Sequence, residues 1–157
     1  MRQYQVALIQ MDTRDDKQAN LAAAKGFVEQ AALRGAKLVV LPETMNFIGR
    51  GYSAQAEPIP GGETCQMFQE LAQKHSIWIE TGSIPETVEG AKPRNTAMLI
   101  DPNGRVVCKY SKMHMFDVDI TNGPVSYTHL DVYKRQGWMH GVFSVFGQFW
   151  QTLSSFR

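Results

Sequence analysis

Two residues, Glu43 and Lys112, occupy places where a chain can do acid–base and electrostatic work. Glu43 ends the stretch LVVLPE, one proline past an apolar run. A carboxylate just beyond the carboxyl end of a buried strand is where α/β folds carry functional groups, because the strand fixes its base while the loop keeps it accessible. Such a group can serve as a general base. Lys112, in KYSKMHMFD, closes a later strand, Val106 to Ser111, in the same way and could hold a positive charge over a developing oxyanion. Taken singly, each also has an ordinary reading, as a loop glutamate with a structural hydrogen bond and as a solvated surface lysine. A thiol would supply a nucleophile, but the two cysteines do not offer one. Cys65 falls on the apolar face of a helical pattern and Cys108 alternates with Val106 and Tyr110, so both read as core residues.

The elements that must position these groups follow from periodicity. Gln5 to Gln10 is an apolar run suited to a buried strand, followed by a polar turn from Asp12 to Asp16. Leu21, Ala24, Val28 and Ala31 recur at helical spacing and Gly35 is a natural left-handed stop, which predicts a helix from Gln18 to Leu33. Lys37 to Leu41 is a second strand, ended by Pro42, which cannot donate to a sheet ladder. Cys65, Phe68, Leu71 and Ala72 mark the inner face of a second helix, and Ile77 to Ile79 a third strand. Thr96 to Ile100 pairs with Val106 to Tyr110 across Asp101-Pro102-Asn103-Gly104, whose Pro and Gly suit a tight hairpin. This order predicts an α/β fold with a mixed sheet and helices packed on it.

Composition narrows the classes of partner. The chain has 157 residues, 43% of them hydrophobic, enough for one domain with a core. A formal net charge of +1 gives no electrostatic case for nucleic acid or an acidic membrane, which points to a small-molecule partner. Cys65 and Cys108 form neither a CxxC nor a Cys/His ligand pattern, so no metal site or disulfide framework is expected and a cytoplasmic setting is favoured. The run VALIQM is too short for a signal-peptide core, and the Phe- and Trp-rich tail from Gly137 to Leu153 falls short of the roughly 20 residues a spanning helix needs.

In chain order, QVALIQMD, AKLVVLPETMN, GSIPE and NTAMLIDPNGRVVCKYSKMHMFD resemble the nitrilase, or carbon-nitrogen hydrolase, superfamily, and in particular its Nit-type amidase branch. The resemblance runs from Tyr4 to Ile120. It implies an αββα sandwich, of which residues 1–122 form a partial, N-terminal half, and a Glu-Lys-Cys triad in which Glu43 matches the base and Lys112 the lysine. It further implies hydrolysis of a small linear amide to carboxylate and ammonia, as in an ω-amidase or a deaminated-glutathione amidase, without metal or organic cofactor, in a protein that forms homo-oligomers. The physics of such a triad is plain. A thiol of ordinary pKa is only partly ionised at neutral pH, so a carboxylate must take its proton as it attacks, and a fixed ammonium stabilises the oxyanion that builds up.

The third member is absent. The family's cysteine lies well beyond the lysine, in a motif resembling CYDxRFPE, with a supporting glutamate between the two; here no cysteine follows Cys108 and no glutamate follows Glu89. In their place stands PVSYTHLDVYKRQ at 124–136. One choice of codons for these residues is, from its second base onward, its own reverse complement, and it matches the paired transposon ends used to fragment DNA for sequencing. Residues 123–136 thus read as an adapter-derived junction and 137–157 as an unrelated or out-of-frame tail. On this reading His129 and His140 carry no catalytic message, and His114 is a structural or pocket-shaping residue. A second functional class remains beside the enzyme: a non-catalytic nitrilase-like chain acting in binding or association, or a truncated fragment without function.

Overall fold

The computed structural model describes residues 3–112. The junction at 123–136, the tail at 137–157 and His114 all lie outside the described residues. Those described belong to one compact unit, Met1–Met115.

Strand β1 (Val6–Leu8) leads into helix α1 (Lys17–Leu33) and strand β2 (Leu38–Val40). Helix α2 (Glu63–His75) follows, then three strands, β3 (Trp78–Glu86), β4 (Arg94–Ile100) and β5 (Val106–Ser111). Helix α1 begins where the sequence places it. Asp16 keeps an extended backbone and its carboxylate accepts from the Ala19 N–H at 3.0 Å, satisfying one of the amides that a helix start leaves unpaired. Gly35 ends the helix at φ +90°, the left-handed conformation that glycine adopts without a steric penalty.

The described strands form one sheet in the order β1-β2-β3-β4-β5. Helical crossovers make the first three parallel, since α1 joins β1 to β2 and α2 precedes β3, whereas a tight turn makes β4 and β5 an antiparallel hairpin. The expected mixed α/β sheet is therefore present. Several bounds differ from expectation. Strands β1 and β2 have only three residues each within their apolar runs, β4 begins at Arg94 where Thr96 was expected, and β3 continues to Glu86 where Ile77 to Ile79 was expected. Gly82 and Pro85 look like strand breakers in sequence, but Gly82 at φ +64° is absorbed as an irregularity in the β3–β4 pairing, and Pro85 keeps its place opposite Asn95.

Both helices cover the same face of the sheet. Leu21, Val28, Phe68 and Leu71 join Val39, Ile79, Met98 and Ile100 in one buried cluster. Alternation sends the neighbouring residues to the opposite face. In β1, Ala7 packs against this core while Val6 and Leu8 are 54% and 78% exposed.

A buried polar hub ties the loop after β2 to α2. Gly62, the residue capping α2, has no side chain to offer, and Glu57 takes over the task. Its carboxylate is buried, accepts from the Thr64 N–H at 2.8 Å and from the Thr64 hydroxyl, and lies 3.3 Å from Lys17 Nζ and from Asn46 Nδ2. An anionic group at a helix start answers both the unpaired amides and the helix dipole.

Candidate active site

Glu43 leaves the sheet at the turn after Leu41, and three contacts from β3 hold that turn. The Leu41 N–H donates to the Glu80 carbonyl at 3.0 Å, the Thr44 N–H to Ser83 Oγ at 2.9 Å, and the Met45 N–H to the Ser83 carbonyl at 3.2 Å. Thr44 itself sits at φ +53°, an uncommon conformation for a β-branched residue, and its hydroxyl donates to the Glu43 carbonyl at 2.8 Å. Gly82 makes the close approach possible: a Cβ there would overlap the Pro42 carbonyl. The GSI part of the GSIPE motif is thus the bracket for the Glu43 turn.

Lys112 comes to the same place from β5. A regular hairpin that pairs Ile100 with Val106 would set Ser111 against Asn95. The ladder instead shifts by one between Leu99 and Ile100, so that Leu99 faces Cys108, Ala97 faces Tyr110 and Thr96 faces Ser111. Val107 is the extra residue of this bulge. Lys112 therefore falls opposite Asn95, its N–H donating to the Asn95 carbonyl at 2.8 Å. Residues directly opposite in an antiparallel pair point to the same side. Asn95 and Lys112 alternate with Thr96 and Ser111, whose row continues through Met98 into the helix-covered core, so the two face the other side of the sheet.

There the Lys112 ammonium donates to Glu43 Oε1 at 2.7 Å. Asn95 Nδ2 donates to the same oxygen at 3.1 Å, and Tyr52, from a short 3-10 turn at Tyr52–Gln55, donates its hydroxyl to Asn95 Oδ1 at 3.3 Å. The Glu43 and Lys112 side chains are 44% and 33% exposed, so as a surface ion pair they contribute at most about 1 kcal/mol to stability. What the contact supplies is geometry: an acid–base group and a fixed cation sharing one accessible spot. Burial, reinforced by the negative charge of Glu43, pushes the Tyr52 phenol up to about 12, so Tyr52 stays a hydrogen-bond donor at neutral pH.

Both sequence-predicted residues thus meet, although they are 69 positions apart. Neither cysteine joins them. Cys65 is buried on α2, its thiol donating to Gln69 Oε1 at 3.4 Å, and burial raises its pKa. Cys108 lies on the Lys112 side of β5 but about 13 Å back along the strand at ~3.3 Å per residue. Among the described residues no three His, Cys, Asp or Glu side chains converge in the way a metal ion requires. Tyr52 and Asn95 are the members that sequence reasoning did not single out, and Asn95 was present only as the first letter of NTAMLIDPNGR.

Comparison with known proteins places this arrangement. Residues 5–149 match the model of the carbon-nitrogen hydrolase family. The human omega-amidase NIT2 is 39% identical over 122 residues, which cover 76% of this chain and 44% of that protein. A deaminated glutathione amidase of Synechocystis is 35% identical over 126 residues, covering 78% of this chain and 46% of that one. In the crystal structure of Saccharomyces cerevisiae Nit3, a member of branch 10 of the nitrilase superfamily, the similarity is 32% in sequence with a TM-score of 0.64, over 79% of this chain and 49% of that one. The chain spans about half the length, or less, of these relatives. With residues 5–149 matched by the family model, the chain belongs to the carbon-nitrogen hydrolase family.

Proposed function

We propose that the chain carries the base and the oxyanion-stabilising cation of an amidase that opens a small linear amide, and that the intact protein supplies the nucleophilic cysteine after Lys112. The observation that carries this reading is the 2.7 Å contact between Lys112 Nζ and Glu43 Oε1. Glu43 takes the thiol proton as sulfur attacks the amide carbon, and Lys112 balances the charge gathering on the carbonyl oxygen. The proton then leaves with the nitrogen as ammonia. Water activated by the same glutamate cleaves the thioester and returns the thiol. Similarity to an omega-amidase and a deaminated glutathione amidase supports an ω-amide or a related short amide as substrate.

The non-catalytic alternative is favoured by one observation, that no cysteine follows Cys108 and neither cysteine present reaches the pair. The two readings separate in one assay and one amplification. The purified 157-residue chain is expected to release no ammonia from ω-amide substrates, because removing the nucleophile removes covalent catalysis. Ammonia release that disappears in Glu43→Gln would overturn the assignment of the missing thiol. Amplifying the genomic locus is expected to show, after Ile120, an open frame without the bases of 124–136 and with a glutamate followed by a strand-ending cysteine. A genomic sequence that contains those bases would sink the junction and favour the binding reading.

A further inference from the structure

Glu43 has two carboxylate oxygens, and the structure treats them differently. Oε1 accepts from both Lys112 Nζ and Asn95 Nδ2, at 2.7 and 3.1 Å. Among the described residues no donor reaches Oε2. We propose that Asn95 is a positioning residue that commits Oε1 of Glu43 to Lys112 and leaves Oε2 as the oxygen that takes and returns the proton. What that proton transfer serves rests on the amidase reading above; how the carboxylate is held does not.

Three features of Asn95 support this. First, the residue is buried, at 7% exposure, and its amide is held at both ends, Nδ2 by Glu43 and Oδ1 by the Tyr52 hydroxyl. A carboxylate only accepts, so it takes the NH2 end of the amide, and the hydroxyl, which can donate or accept, donates to the oxygen that is left. Second, the Asn95 carbonyl takes the Lys112 N–H at 2.8 Å, so one residue fixes the backbone from which the ammonium extends and, through its side chain, the carboxylate that receives it. Third, the residue type suits the task. A neutral amide donates without adding charge. An aspartate here would set a second carboxylate against Glu43 and compete for Lys112, and a lysine or arginine would bring a second cation to the oxyanion site.

A carboxylate held by a flexible lysine alone can rotate and exchange its oxygens. With two donors on Oε1, rotation breaks two hydrogen bonds, one of them charge-assisted. Oε2 then has a fixed direction. In the first half-reaction it receives the thiol proton as the S–C bond forms and hands it to the departing nitrogen; in the second it receives a proton from water and hands it to the departing sulfur. Oε2 ends each half-reaction bare, as it began.

The test needs no substrate. In the isotopically labelled 157-residue chain, nuclear magnetic resonance reads the Asn95 side-chain amide and the Lys112 ammonium directly. Glu43→Ala is expected to move one Asn95 Nδ2 proton upfield as it loses a charged acceptor. Asn95→Ala is expected to broaden or erase the Lys112 ammonium signal while the rest of the spectrum stays folded. Tyr52→Phe leaves Asn95 in place, frees its amide, and is expected to shift both signals in the same direction by less. An Asn95 amide unmoved in Glu43→Ala overturns the proposal. So does a Lys112 signal unchanged in the folded Asn95→Ala or, where that variant does not fold, in Tyr52→Phe. Failure of the amidase reading would leave all of these spectra as predicted, so the two ideas fail separately.

Discussion

Ser83 holds the turn that carries Glu43 by two hydrogen bonds, with its hydroxyl accepting from the Thr44 N–H at 2.9 Å and its carbonyl from the Met45 N–H at 3.2 Å. Both bonds resist the return of Thr44, at φ +53°, to the ordinary region. The Glu43 turn is therefore held from β3. Gly82, one residue earlier, lets the two segments approach this closely.

Gly82→Ala tests that bracket. The added methyl would meet the Pro42 carbonyl, and φ +64° is itself unfavourable for alanine. The expected loss is about 2 kcal/mol or more of unfolding free energy, because strain and overlap act together. Urea denaturation followed by circular dichroism measures it. A loss under about 0.5 kcal/mol, the range of an ordinary surface change, would mean that the turn does not depend on this glycine.

Tyr52 reports the charge on Glu43. Burial is the larger cause of its rise to about 12 and Glu43 the smaller, so Glu43→Gln is expected to lower the phenol toward, but not to, its ordinary value of 10.0. The phenolate ultraviolet absorbance of wild type and Glu43→Gln, each after subtraction of the Tyr52→Phe background, reads the shift. A midpoint that stays fixed or rises would show that the carboxylate is not felt at the phenol.

Glu80 makes stability depend on pH in the direction opposite to most carboxylates. Burial pushes it from 4.5 up to about 7, against a weaker pull from the Gly82 N–H. The folded state thus holds the proton more tightly than the unfolded chain. The stability this confers is fully present below 4.5 and is lost as pH rises through about 7. At about 1.4 kcal/mol per pH unit the ceiling is roughly 3 kcal/mol. Denaturant midpoints at about pH 5 and about pH 8 should differ in wild type and converge in Glu80→Gln. A difference that survives the substitution assigns the effect to another group.

Glu57→Ala should be among the costliest single changes in the described chain. It strips the α2 start of its anionic cap, leaves the Thr64 N–H without its acceptor and leaves Lys17 with Glu63, at 3.2 Å, in place of two carboxylates. Breaking a buried, hydrogen-bonded charge in this way costs about 3 kcal/mol. Thermal denaturation of Glu57→Ala beside Glu57→Gln checks it, the glutamine being expected to recover part of the loss by keeping an acceptor at the Thr64 N–H. Equal losses in the two variants would show that the hydrogen bonds to Thr64 matter less than the charge.

Helix α1 was legible almost to the residue, since Leu21, Ala24, Val28 and Ala31 carry the helical period and Gly35 has a reason to stop it. The strand ends before Glu43 and Lys112 are visible as a change in composition, but singly the two read as a loop glutamate and a surface lysine, and only the resemblance of the flanking motifs to a known family paired them. What could not be read was register. Val106, Val107 and Cys108 are all suited to a strand, and nothing in their types says that one of them is surplus. Gly82 and Pro85 signal a break by propensity, yet the sheet passes through both because pairing with β4 outweighs local preference. Asn95 and Tyr52 escaped notice for the same reason. Their meaning depends on which residue lies opposite and which turn lies beside, and neither is a property of the residue itself.

The bulge at Val107 also determines how this site can be lost by inheritance. Substitutions there would leave the pairing intact so long as the strand persists. Deleting the single codon for Val107 would remove only the surplus residue and leave Lys112 opposite Asn95 in a regular ladder. Deleting one codon between Cys108 and Ser111, with the bulge kept, would alter none of Glu43, Asn95, Tyr52 or Lys112, yet it would bring Lys112 opposite Thr96 and turn the ammonium onto the helix-covered face. Every residue of the site would survive in the gene, and the site would be gone from the protein.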